Sequence, residues 1–169
     1  MAAPIIVLAI LHDEGWFKWL LAVSFLTDAV DGFLARRYHV TSRQGSRLDS
    51  LGDDLTVLAG IVGIFVFKMD FVRQQLVIIL ILAGLWVVQV GLALIRYGKM
   101  SSFHTWLAKG AAVLQGLFLL SLFFFPSAPG WLFYVAAGAT ALDLVEESIM
   151  VLMLKEWRAD VKGVYALLK

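Results

Sequence analysis

Apolar residues fall along this chain in runs of about twenty, the length a helix needs to cross a hydrocarbon core of about 30 Å. Polar or turn residues separate the runs. Four of them meet that length, 48–67, 74–95, 106–125 and 130–154. A fifth, 16–34, is apolar until aspartates begin at its far end, and Trp16, Lys18 and Trp19 at its start are residue types that anchor a span at the membrane surface. The first run, 2–11, is about half a spanning length and is stopped by His12-Asp13-Glu14-Gly15. It lacks the basic start and the small-residue cleavage site of a signal peptide. We expect the remainder of a helix whose beginning is missing, through truncation or a misplaced start codon, with a re-entrant stub as the plainer alternative. The pattern predicts an all-α integral membrane protein: a six-helix transmembrane bundle with the first helix incomplete, one domain over 1–169. Pro126-Ser127-Ala128-Pro129-Gly130 reads as a turn between the last two helices. The segment 155–169 reads as a cytoplasmic tail.

Composition agrees with that reading and sets the orientation. Hydrophobic residues make up 61% of the chain and charged ones 16%, with a mean hydropathy of +0.86, outside the range of soluble domains. All Lys and Arg except Lys18, Lys68 and Arg73 fall at alternate helix ends, so they share one side if every run spans. By the positive-inside bias that side is cytoplasmic. The chain has no cysteine, which excludes disulfides, thiolate metal ligands and cysteine nucleophiles.

The candidate chemistry lies on the same side. Asp28-x-x-Asp31-Gly32-x-x-Ala35-Arg36 is followed, after eight residues, by Gly45-x-x-x-Asp49-x-x-x-Asp53. Residues three or four apart share a helix face, so Asp28 and Asp31 pair near one helix end and Asp49 and Asp53 near the start of the next. Four facing carboxylates in a partly dry site repel one another, and bound divalent cations are the simplest way to keep them all ionised. Gly32 and Gly45 allow close approach of backbone or ligand, and Ala35 leaves room for a flat group. Arg36 offers a forked, permanent donor for phosphate. Together these suggest phosphoryl transfer, with two ions about 3.5–4 Å apart clamping the displacement.

The pattern resembles the signature of the CDP-alcohol phosphotransferases, D-x2-D-G-x2-A-R-x8-G-x3-D-x3-D, and all eight fixed positions are present. The likeness extends to the helix plan, since that family carries six transmembrane helices with the motif on the second and third. The resemblance implies that Asp28, Asp31, Asp49 and Asp53 hold two Mg²⁺ or Mn²⁺ ions, and that Asp53 takes the proton of the attacking alcohol. It implies that Asp31, Gly32, Ala35, Arg36 and Gly45 shape the CDP site. The alcohol oxygen would attack the phosphorus that stays with the donor's alcohol moiety and release CMP. In phospholipid synthases of the family the donor is CDP-diacylglycerol. A small alcohol such as glycerol 3-phosphate is the expected acceptor, with Arg43, Arg96 and Lys109 as candidates for its phosphate. A homodimer in the cell inner membrane is also expected, and no nucleic-acid partner.

Other residues carry plainer readings. Asp54 lies about 100° around the helix from Asp53 and is not part of the motif. His104 reads as a solvated interfacial histidine. Asp143, Glu146 and Glu147 share one face of the last apolar run, where acids are rare and functional by default. A structural pairing, with Arg96 as the named partner, is preferred for them over a place in the substrate cavity. Three alternatives stand beside the leading function. One reverses the lipid, passing a soluble CDP-alcohol to diacylglycerol. Another makes the aspartates a divalent-cation pathway for transport or sensing. The last is an inactive relative.

Overall fold

The computed structural model of the chain describes residues 2–37, 43–101, 103, 105–125, 130–154, 156–158 and 161–167, and the side chains of all of these except 2, 3, 28, 29, 31–37 and 43–54. Among the described residues there are six α-helices and no strand: α1 (Ala2–Ile10), α2 (Glu14–Arg37), α3 (Arg43–Phe67), α4 (Met69–Tyr97), α5 (Trp106–Phe124) and α6 (Gly130–Met153). A 3-10 turn follows at Val164–Ala166. By length and apolar composition α4 and α5 are candidate membrane spans, and α3 contains a shorter apolar stretch, Leu55–Phe67.

Three helices outrun the apolar runs that predict them. α2 continues to Arg37 instead of stopping at 34, α3 starts at Arg43 instead of 48, and α4 extends from Met69 to Tyr97 instead of 74–95. Hydropathy ends where a membrane surface would lie, whereas backbone hydrogen bonding runs on until a cap or a turn stops it. Local chemistry fixes several ends. Asp13 Oδ1 accepts the Trp16 N–H at 3.1 Å at the start of α2, and Thr105 Oγ1 accepts the Ala108 N–H at 2.8 Å at the start of α5. Gly98, at φ 67°, closes α4 by donating its N–H to the Leu94 carbonyl at 2.9 Å. That left-handed conformation suits glycine.

The helices gather into two compact units. The first comprises Met1–Gln74 with Leu122–Pro126, and so holds α1, α2, α3, the beginning of α4 and the end of α5. Its core is built on Ile5, Ala9, Phe17, Leu21 and Ala59, none of them exposed. The Phe17 ring sits 5.2 Å from Phe67 and 5.0 Å from Phe123, centroid to centroid. Near the start of α2, Lys68 pairs with Glu14 at 2.6 Å. Trp16 and Trp19 remain exposed.

The second unit comprises Gln75–Ser121 with Ser127–Lys169. Ala93, Phe103, Met150, Val151 and Leu154 form its buried cluster. Here the structure corrects the reading of 155–169 as a tail. Val161, Val164 and Leu167 pack against that cluster, the Trp106 N–H donates to the Lys162 carbonyl, and Trp157 Nε1 donates to the Met100 carbonyl at 3.1 Å. The segment is charged at intervals, yet its apolar residues recur every three positions and fold back onto the unit.

Candidate active site

The motif is carried by two helices of the first unit that run in opposite directions. α2 and α3 pack together and are consecutive, with only residues 38–42 between them, so they are antiparallel neighbours. Two contacts fix how far one has slid past the other. Ser24 Oγ and Thr56 Oγ1 are hydrogen-bonded at 3.0 Å, and these residues are 1% and 2% exposed. Seven residues toward the opposite end, Phe17 of α2 lies over Gly63 of α3, so close that a β-carbon at 63 would collide with the ring.

On regular helices the same seven-residue step taken toward the 38–42 connection would bring position 31 level with position 49, and a step of eleven would bring 35 level with 45. Position 28 lies four residues from Ser24 and position 53 three from Thr56, so they too share a level. At 1.5 Å per residue the levels stand about 5, 10 and 16 Å beyond the Ser24–Thr56 bond. Steps of three, four, seven and eleven residues all return within about 60° of the starting face at 100° per residue. Positions 28, 31 and 35 therefore share the Ser24 face, and 45, 49 and 53 share the Thr56 face. Position 54, two residues from Thr56, falls on the far side of α3.

The side chains of Asp28, Asp31, Gly32, Ala35, Arg36, Arg43, Gly45, Asp49, Asp53 and Asp54 lie outside the described ones, as does the whole of His104. By helical periodicity the two helices carry carboxylate-bearing positions on the stripes that include Ser24 and Thr56, followed by the small residues at 35 and 45. A donor set of carboxylate oxygens, without His or Cys, suits a hard divalent ion such as Mg²⁺ or Mn²⁺. Among the described residues no group of three or more His, Asp or Glu is placed to hold a metal ion.

Those acids are paired, though not as the sequence suggests. Arg96 donates from Nε to the Leu154 carbonyl at 3.0 Å, and Tyr97 donates its hydroxyl to the carbonyls of Val151 at 2.9 Å and Leu154 at 2.8 Å. Both side chains cap the end of α6. Glu147 accepts instead from Gln89 Nε2 at 2.8 Å and Ser101 Oγ at 3.4 Å, Asp143 from Thr105 Oγ1 at 3.2 Å, and Glu146 from the Val164 N–H at 3.0 Å. The acids thus tie α6 to α4, to the 98–105 connection and to the returning C-terminal segment. Lys109, also proposed for the acceptor, is exposed with its ammonium 4.9 Å from the Trp106 ring centroid.

Gln89 is 3% exposed, and one of its amide hydrogens depends on Glu147. Glu147→Ala is expected to strand that donor and cost about 1–3 kcal/mol, the usual penalty for an unpaired buried polar group. Glu147→Gln keeps an acceptor oxygen and should cost less. Thermal unfolding in detergent, followed by intrinsic fluorescence, reads the difference; equal midpoints for alanine and glutamine would contradict the pairing.

The model of the CDP-alcohol phosphatidyltransferase family matches residues 1–142. The chain belongs to that family. Family members are transferases, and the curated relatives bear that out by name. A CDP-diacylglycerol–glycerol-3-phosphate 3-phosphatidyltransferase of Rickettsia felis is 31% identical over 154 residues, covering 89% of this chain and 79% of its own. The protein of the same name from Rickettsia typhi is 30% identical over 154 residues, 89% of this chain and 80% of its own. A cardiolipin synthase (CMP-forming) of Streptomyces coelicolor is 30% identical over 126 residues, 75% of this chain, which spans only 57% of that protein's length. No solved structure matches the chain. The eight motif positions of this phosphatidyltransferase family member are legible in its sequence. The Ser24–Thr56 bond between the two motif-bearing helices is not singled out by hydropathy, and its signal is only that Ser24 and Thr56 fall one helical turn from Asp28 and Asp53.

Proposed function

We propose that this protein is a metal-dependent phosphatidyltransferase that moves the phosphatidyl group of CDP-diacylglycerol to glycerol 3-phosphate and releases CMP. The reading is supported by the likeness to rickettsial proteins of that name, which covers 89% of this chain. A hydroxyl oxygen of glycerol 3-phosphate forms the new bond to the phosphorus that bears diacylglycerol. The anhydride bond to the CMP phosphate breaks, and the hydroxyl proton passes to Asp53. Asp28, Asp31, Asp49 and Asp53 would hold two Mg²⁺ or Mn²⁺ ions, which when bound offset charge on the phosphates and make the hydroxyl more acidic. Asp31, Gly32, Ala35, Arg36 and Gly45 would receive the CDP moiety, the small residues leaving room and Arg36 pairing with phosphate. Arg43, Arg96 and Lys109 are the candidates for the acceptor phosphate.

In this proposal the protein is multi-pass in the cell inner membrane, as a six-span bundle with a partial first helix and its basic helix ends cytoplasmic, and it works as a homodimer. A site at that boundary admits a soluble nucleotide head and a lipid tail together. The Streptomyces likeness favours, as a second reading, a lipid alcohol as acceptor. The deciding experiment presents purified protein with CDP-diacylglycerol and Mn²⁺, and tests glycerol 3-phosphate, serine, inositol, inositol phosphate and phosphatidylglycerol by CMP release. We expect turnover with glycerol 3-phosphate that EDTA abolishes and added Mn²⁺ or Mg²⁺ restores. CMP release that survives EDTA, or that occurs with no acceptor in the panel, would refute the proposal. Release with phosphatidylglycerol alone would select the second reading.

A further inference from the structure

Hydroxyl groups inside helices ordinarily satisfy themselves on their own backbone. Thr27 does so, with Oγ1 donating to the carbonyls of Val23 at 3.0 Å and Ser24 at 2.9 Å. Ser24 and Thr56 join to each other at 3.0 Å across the α2–α3 contact, where the two residues are almost fully buried. One turn beyond this bond on each helix begins the series of matched motif levels. In apolar surroundings a hydroxyl pair of this kind has a distance and angle to satisfy, which packed methyl groups do not. Sliding one helix by a residue would shift the levels by about 1.5 Å and break the bond.

We infer that Ser24 and Thr56 are positioning residues, a register lock that sets the relative height of the two carboxylate pairs and thereby their affinity for divalent ions. The inference rests on the metal-dependent reading above and goes beyond it by assigning a role to two residues outside the motif. Neither hydroxyl touches substrate in this scheme. Both act through the placement of Asp28, Asp31, Asp49 and Asp53. Aromatic packing of Phe17 on Gly63 holds the far end, and the hydroxyl bond joins the two helices on the side toward the aspartates.

The test compares Ser24→Ala, Thr56→Val, the double variant and the exchange Ser24→Thr/Thr56→Ser in the full chain. Mn²⁺ binding is read from loss of the free-ion EPR signal, alongside the Mn²⁺ dependence of CMP release. Either single variant is expected to raise the half-saturating Mn²⁺ about tenfold in both measurements, the scale on which groups supporting a metal's ligands act. The KM for glycerol 3-phosphate should stay at its parental value. The double variant should lose no more than the worse single one, because the two hydroxyls act as one bond, and the exchange variant should bind Mn²⁺ like the parent. If alanine at 24 prevents folding, Ser24→Cys, a weaker donor, should give an intermediate shift. Folded variants that bind Mn²⁺ like the parent would overturn the register lock and leave the transferase reading standing. A parent that neither binds Mn²⁺ nor releases CMP would remove both.

Discussion

Asp53→Asn is expected to lower CMP release by about a hundredfold to ten-thousandfold, the range in which a positioned proton acceptor acts, while leaving the folded fraction intact. The amide matches the carboxylate in size but carries no charge and accepts no proton, so it removes both proposed duties of position 53. Asp54→Asn is the internal control. The two residues are neighbours in sequence but about 100° apart around α3, and position 54 falls away from the stripe that runs through Thr56, so its loss should leave turnover near the parental rate. The measurement is initial CMP release at saturating Mn²⁺, with thermal unfolding of each variant beside it. Equal activity in Asp53→Asn and the parent would remove the proposed mechanism. Equal loss in both variants would mean that the charge of the region, and not the helical face, matters.

The second large effect is on stability. At Gly63 a β-carbon would meet the Phe17 ring at Cζ first and then lie 2.6 Å from Cε1 and 2.9 Å from Cε2. The ring has no room to withdraw, because Phe17 is fully buried between Phe67 and Phe123. Alanine is the better helix former by about 1 kcal/mol, whereas forcing extra volume into a packed core costs about 1–3 kcal/mol. The clash should therefore win in Gly63→Ala, with a lowered unfolding midpoint, and Gly63→Leu should yield little folded protein. Phe17→Leu in the Gly63→Ala background shortens the obstructing side chain and should recover part of the loss. If Gly63→Ala were more stable than the parent, the contact would be looser than the structure shows.

Much of this architecture is written in the sequence. The apolar runs locate every helix from α2 to α6, because a long uninterrupted apolar run between polar breaks leaves a strong imprint. Their ends are harder to read. Arg37 and Arg43 are charged helical residues, since helix formation continues past the point where hydropathy stops. The C-terminal segment misleads for the same reason. Its charges suggest solvent, while Val161, Val164 and Leu167 supply the face that packs. The motif is fully legible because it consists of fixed residue types at fixed offsets. Partner choice is not: Arg96 is a natural partner for Asp143, Glu146 or Glu147 by charge, yet its Nε caps α6 while polar side chains and a backbone N–H serve the acids. Sequence distance says nothing about which donor arrives first.

The level-by-level match of α2 and α3 makes the motif far less tolerant of length changes than of most substitutions. One residue added to α2 between 24 and 28, or to α3 between 53 and 56, would turn everything beyond it by about 100° and carry two aspartates out of the shared seam. Insertions and deletions in relatives should accordingly gather outside these two stretches, whatever else drifts.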